Sequence, residues 1–283
     1  NAYVKGTASD NTVIGMNAGS SVVDGTATAP MTGANNVLVG SHAGYGLTDG
    51  PGNVLVGKSA GVAMTTGDYN VAIGYHAGDL LAGDSDNNVA IGTNALGGED
   101  LASGCIAIGR DALVLQNGTA AVNLAIGYHA GKTVSTGTQN VLIGHEAGMT
   151  LAASATHTGD ANTVIGYQAL KTATGARNTV LGRSAATALG TGTDNVIIGW
   201  NALVTADGGE DKNVGIGSSA LENINDDAAV GNVAIGYDAG RYGNTGSGSV
   251  DLVKAVNCTI IGHDSRASAN DVDNEVVIGY AAV

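Results

Sequence analysis

The sequence predicts an all-β fold: a parallel β-solenoid, or β-roll, of about fifteen short turns running through residues 1–283 as a single repetitive domain. Three observations carry this. A nine-residue phrase recurs from end to end, clearest as NVAIGYHAG at positions 70–78. Every copy pivots on a glycine, at Gly15, Gly40, Gly57, Gly74, Gly92, Gly109, Gly127, Gly144, Gly166, Gly182, Gly199, Gly217, Gly236, Gly262 and Gly279, mostly 16 to 19 residues apart. A fixed period of that length is the mark of stacked repeats. Finally, 46 Gly, 2 Pro, no Phe and 4% aromatic residues cannot fill a thick core, so the interior must be thin.

Each element of the repeat follows from its residues. The residue before the pivot glycine is always Ile, Val or Leu, and the residue three before it is Val, Ile, Leu or Thr, the β-branched and aliphatic types of a strand face. The residue between them is never polar: Leu38, Leu55, Ala72 and Ile197 are examples. A strand apolar on both faces is covered on both faces. One face fills the coil interior, and the other is expected to meet another copy of the chain about a symmetry axis. Three residues after the glycine stands Ala in fourteen copies, with Ser265 the exception, which predicts a space too small for a larger side chain. The pivot glycine itself predicts a positive φ or a close backbone approach at a corner.

Twelve copies place Asn four before the glycine, from Asn11 to Asn232, and stacked every turn these amides form a ladder. A second corner is marked by Thr-Gly, as at Thr32-Gly33, Thr66-Gly67, Thr158-Gly159 and Thr191-Gly192. Two corners and two short strands per period predict a flattened coil. Insertions interrupt the period near 20–34, 149–161, 222–231 and 241–257. Neither end shows a cap, so head-to-tail stacking is expected, and the opening NAYVKG, without initiator Met or signal pattern, reads as a processed product or a piece of a longer chain.

The formal net charge of −14 excludes nucleic acid and anionic membrane surfaces, which need clustered Lys and Arg. No run is long and apolar enough for insertion in a membrane. Cys105 and Cys258 occupy the ladder position eight copies apart, roughly 38 Å at ~4.8 Å per turn, beyond the reach of a disulfide, so both are expected as free thiols.

Several motifs look chemical and have a plainer account. GNVLVGKS at 52–59 matches a phosphate-binding loop in letters, but its middle four residues are the strand of the third copy. GKSAG at 57–61 matches a nucleophile elbow, yet sister copies read GSHAG and GYHAG in the same register. His42, His76 and His129 lie two after the glycine on non-adjacent turns, His145 and His263 one after, and His157 in a loop. Only a threefold axis would gather equivalent histidines around a metal, and exposed variable positions are the default. Acidic loops at Asp84-Ser85-Asp86, Glu99-Asp100, Glu210-Asp211 and Asp226-Asp227 lack the spaced ligands of a calcium loop and read as solvated turns. No catalytic residue, metal or cofactor is expected. One position after the glycine gathers Tyr75, Tyr128, Tyr167, Trp200, Tyr237 and Tyr280, a candidate stripe for recognition of glycans or a receptor that equally suits shielding of thin strands.

NTVIGYQALKTATGARNTVLG, at 162–182, resembles the repeats of bacteriophage tail-fibre shafts and related bacterial surface proteins. More distantly it is similar to the head repeats of trimeric autotransporter adhesins. The resemblance covers nearly the whole chain and implies three parallel β-solenoids packed about a threefold axis, a homotrimer serving in a fibre or in adhesion. Coiled-coil stalk, membrane anchor barrel and self-cleaving chaperone domain are not seen in this sequence, so their chemistry does not carry over. The leading expectation is a non-enzymatic structural segment of an extracellular, cell-surface or virion fibre. The alternatives are an adhesin head that binds a host-surface glycan or receptor, and a self-polymerising filament subunit.

Overall fold

A computed structural model describes residues 9–283 other than 21, 24–25, 28–30, 84, 99–102, 117–121, 152–158 and 245–248. Two compact units make up the chain, Asn1–Gln139 and Asn140–Val283. The first stacks seven three-residue strands in chain order: Thr12–Ile14, Val37–Val39, Val54–Val56, Val71–Ile73, Val89–Ile91, Ile106–Ile108 and Leu124–Ile126. The second stacks eight: Val141–Ile143, Thr163–Ile165, Thr179–Leu181, Val196–Ile198, Val214–Ile216, Val233–Ile235, Thr259–Ile261 and Val276–Ile278. Within each unit every strand pairs parallel with the next at the same repeat position, so Leu38 faces Leu55 and Ile197 faces Gly215. The fold is a parallel β-solenoid of about 13 turns, with no helix among the described residues.

The middle strand residue points inward and its two neighbours outward, the period of two that a strand imposes. Leu38, Ala72, Leu142 and Ile197 are fully buried. The interior is filled by three positions per turn whose sizes compensate. Leu55 on the strand is matched by Gly61 and Met64, Val164 by Leu170 and Ala173, and strand Gly215 by Leu221 and Ile224, with Met64, Leu170, Leu221 and Ile224 all buried. A thin coil has nowhere to put surplus volume, and the packing density of a protein interior tolerates little deficit.

The corner after each strand is built from left-handed backbone. Gly74 has φ +139°, and a Cβ there would lie 2.7 Å from the carbonyl oxygen of Gly92 on the next turn, closer than any side chain can stand. The residue two beyond the pivot is also left-handed: His42, Asn94, Asp111 and Asn201 have φ between 53° and 60°. The alanines three beyond are fully buried, as at Ala43, Ala77 and Ala202. The exception, Ser265, is equally buried and its hydroxyl donates to the carbonyls of Ile261 and Gly279. Leucines such as Leu113 and Leu203 take the next position at φ +48°. A left-handed non-glycine residue costs about 1–2 kcal/mol, which the burial of a leucine side chain, about 1.5–3 kcal/mol, offsets.

The asparagine ladder is present, and its bonds run mostly to backbone. The Oδ1 of Asn36 accepts the backbone N–H of Asn53 at 2.7 Å, and that of Asn162 accepts the N–H of Asn178 at 2.9 Å. Most of the Nδ2 groups donate across the coil to a carbonyl of the second corner, such as Asn53 to Gly67 at 2.8 Å and Asn178 to Gly192 at 2.9 Å. These asparagines are buried, so each satisfies backbone groups that water cannot reach. Cys105 and Cys258 are free, buried thiols at ladder positions. Their backbone N–H groups donate to Asn88 and Asn232 at 2.9 and 3.0 Å. Burial pushes both thiols up, opposed by hydrogen bonds from backbone at Asn123 and Val122 and at Glu275 and Val256, which leaves them unreactive at neutral pH.

Two short strands per period do not form. The far side of most turns is irregular backbone held by single bonds from turn to turn, such as Thr48 N–H to the carbonyl of Thr65 at 2.9 Å. Among the described residues only Thr150–Leu151 with Thr172–Ala173, and Lys254–Val256 with Asp271–Asp273, pair there as parallel strands. The residue five before the pivot is left-handed in turns with and without such a pair, as at Asn35, Tyr69, Asp194 and Asn257, so it turns the chain into the main strand and does not decide whether a second one forms. Two insertions carry antiparallel pairs of their own, Val22–Val23 with Thr26–Ala27 and Tyr242–Asn244 with Ser249–Asp251.

Candidate functional site

The residues one after each pivot glycine form a column on the outside of the coil in each unit, because the parallel register brings equivalent positions together turn after turn. Tyr75, Tyr128, Tyr167, Trp200, Tyr237 and Tyr280 all stand in these columns, each between 39% and 80% exposed. The rings are largely engaged with their neighbours. Lys58 lies over Tyr75 at 5.5 Å, Arg110 over Tyr128 at 5.9 Å and Arg183 over Tyr167 at 5.6 Å. His145 stacks on Tyr167 at 5.1 Å, and His263 stacks between Tyr237 and Tyr280 at 5.0 and 5.3 Å. Aromatic and cation–π contacts of this kind shield ring faces and strand ends. Trp200 differs: no ring or cation covers it among the described residues.

The histidines serve the corner. His42, His76 and His129 lie in left-handed backbone, which His, Asn and Asp adopt more readily than most residues. His76 Nδ1 sits 2.6 Å from Asp79, His129 Nε2 3.2 Å from Asp111, and His42 Nε2 3.3 Å from the amide of Asn17. None joins a group of three metal-ligating side chains among the described residues. His157, Asp84, Glu99 and Asp100 lie outside the described residues. Ser59 is nearly buried with φ +58°, and residues 54–56 are strand, so neither the phosphate-loop nor the nucleophile letters form the geometry their chemistry needs.

The acidic loops are sorted by the fold. Carboxylate oxygens of Asp207, Glu210 and Asp227 lie within 4.8 Å of one another; the sequence reading missed Asp207, which shares a loop with Glu210, while Asp227 reaches them from the next turn through the stacking of loops. Glu210 is fully buried and accepts the backbone N–H of Gly208 at 3.1 Å, while Asp227 accepts that of Gly209 at 3.1 Å. Burial pushes the Glu210 carboxyl up, and the backbone N–H donors oppose that rise. Asp211 instead accepts from Thr193, and Asp226 from the N–H of Ala228 at 2.8 Å. Asp211 and Asp227 thus tie one turn to the next, while Glu210 and Asp226 brace their own loops.

Glu146 gives a pH-dependent test of such ties. Hydrogen bonds from Lys171, at 2.7 Å, and from Gln168, at 2.9 Å, hold its carboxyl below the usual range, against a smaller opposing effect of burial. A depressed folded pKa stabilises above the unfolded value and is lost as pH falls through the folded one. Glu146→Gln is therefore expected to lower Tm by about 2 °C at pH 7 and by progressively less as the pH is lowered below the usual carboxylate range, measured by circular dichroism.

No helix of the described residues is long and apolar enough to cross a membrane. No family model, curated protein or solved structure matches the chain.

Proposed function

We propose that the chain is a non-enzymatic structural segment of an extracellular or virion fibre or adhesin, in which three copies pack their outward strand faces about a threefold axis. One observation supports this most directly. On each unit the outward row just before the pivot is aliphatic throughout, with Ile73, Ile91 and Ile108 among its members, and the outward row three before it is aliphatic except for Thr12, Thr163, Thr179 and Thr259; Ile73 is 38% and Leu181 44% exposed. Contiguous apolar surface of this extent on a soluble chain marks an interaction site. Its repeat matches that of an identical rod laid alongside, which a globular partner would not reproduce. The resemblance of residues 162–182 to fibre-shaft repeats supports the same arrangement, as do the stacked backbone bonds that give such a rod its stiffness.

Ile91→Lys with Ile108→Lys tests the reading. The pair places two charges in the middle of the row without touching the interior, so the fold signal in circular dichroism is expected to persist. Light scattering is expected to fall from the trimeric to the monomeric mass. An unchanged mass would count against a shared apolar seam.

A further inference from the structure

The exposed aromatic column in the second unit has one gap, and we infer that it is a binding slot for a flat-faced pyranose ring, walled by Trp200 and Tyr237 with Ser218 as its floor. The three residues occupy the same position on consecutive turns. Val196–Ile198, Val214–Ile216 and Val233–Ile235 are paired in register, Ser219 N–H donates to the carbonyl of Trp200 at 2.8 Å, and Asp238 N–H to that of Ser218 at 3.0 Å. Tyr237 lies nearly parallel to His263 of the following turn, at 20° and 5.0 Å. Its opposite face therefore looks back over Ser218, where no ring fills the column. Trp200, 49% exposed and at the same position one turn before Ser218, is assigned as the wall on the far side.

The width selects the occupant. Aromatic walls two turns apart are separated by about 9–10 Å. A planar ring in van der Waals contact on both sides needs only about 7–8 Å, so a nucleobase or a phenyl ring would rattle. A pyranose chair with equatorial substituents is thicker by its axial C–H bonds on each face and fills the space. The rim suits its hydroxyl groups: neither the Ser218 hydroxyl nor the Asn201 carboxamide has a side-chain hydrogen-bond partner among the described residues, and both are partly exposed. The net charge of −14 favours a neutral sugar over an acidic one. Elsewhere in the columns Lys58, Arg110, Arg183, His145 and His263 each lie against a tyrosine face, and only around Ser218 do aromatic residues stand on the turns to both sides of a small polar one. The slot lies within one chain and needs no partner copy.

Trp200 is the single tryptophan of the sequence, so its fluorescence reports on the slot in the unmodified full chain. Titration with cellohexaose and with chitohexaose is expected to shift its emission saturably, with Kd on the order of 0.1–1 mM for one sandwiched ring. Ser218→Tyr fills the gap with a ring of the kind the column already stacks, and Tyr237→Ser removes a wall while leaving the reporter. Each is expected to weaken binding at least tenfold with the circular dichroism spectrum unchanged, whereas Ser218→Thr, the residue found at the equivalent Thr93, is expected to retain it. The inference is overturned by no saturable shift with either oligosaccharide up to about 10 mM, or by undiminished binding in Ser218→Tyr. A response to N-acetyltyrosinamide but to neither sugar would also overturn it.

Discussion

Gly74→Ala is expected to destabilise the chain by about 3–5 kcal/mol, combining the strain of a side chain at a glycine-only φ with the displacement of the neighbouring turn. The φ of +139° is one that L side chains rarely adopt, and the added Cβ would stand 2.7 Å from the oxygen and 2.8 Å from the carbon of the Gly92 carbonyl. Backbone must move, and the turn that moves is itself stacked on another. In a repeat array such damage falls on the nearest-neighbour interfaces, so the loss should appear as a drop in the urea midpoint and as a separate early transition. Gly215→Ala is the internal control. Gly215 sits mid-strand, where an added Cβ would meet Ile197 and Leu221 side chains at 3.4 and 3.5 Å, ordinary contact. It is expected to be neutral or to stabilise by up to about 1 kcal/mol, since alanine restricts the unfolded chain more than glycine.

Asn178→Leu is expected to cost about 3–5 kcal/mol, read by the same denaturation experiment, although the replacement is apolar and close in size. The Asn178 Oδ1 accepts the backbone N–H and the side-chain N–H of Asn195, each at 3.0 Å, and its Nδ2 donates to Asn162 Oδ1 at 3.1 Å and to the Gly192 carbonyl at 2.9 Å. Leucine would leave the Asn195 N–H and the Gly192 carbonyl buried without partners, each at about 1–3 kcal/mol. Asn178→Cys is expected to cost about half as much, since a thiol still meets the next backbone N–H weakly, as Cys105 does at Asn123.

The parts of this fold that were legible in the sequence are those for which a single residue type answers a single physical demand. Only glycine meets the backbone approach at the pivot, only a small residue fits at Ala43 or Ala202, and only Asn both accepts from one turn and donates across the coil at Asn53. The left-handed positions were less legible because several residue types satisfy them. His42, Asp111, Ser184 and Glu146 share one backbone conformation with φ between 55° and 60°, and their mixture reads as variability. The second strand was over-read: Thr-Gly marks the far corner, but those letters do not distinguish turns that pair there, such as Lys254–Val256 with Asp271–Asp273, from the many held by single bonds. In the candidate site, the six aromatics were visible as a column, while the open face between Trp200 and Tyr237 depends on what stacks on each ring. Asp227 joined Asp207 and Glu210 only through the pitch of the coil.

Sedimentation equilibrium of the purified chain at micromolar concentration tests most directly whether sister molecules cover the outward aliphatic rows. The proposed packing predicts a single species at three times the 27.7 kDa chain mass, with Ile73, Ile91 and Ile108 protected from solvent. A stable monomer at 27.7 kDa would mean that the rows stand open in water, and would contradict the trimeric fibre.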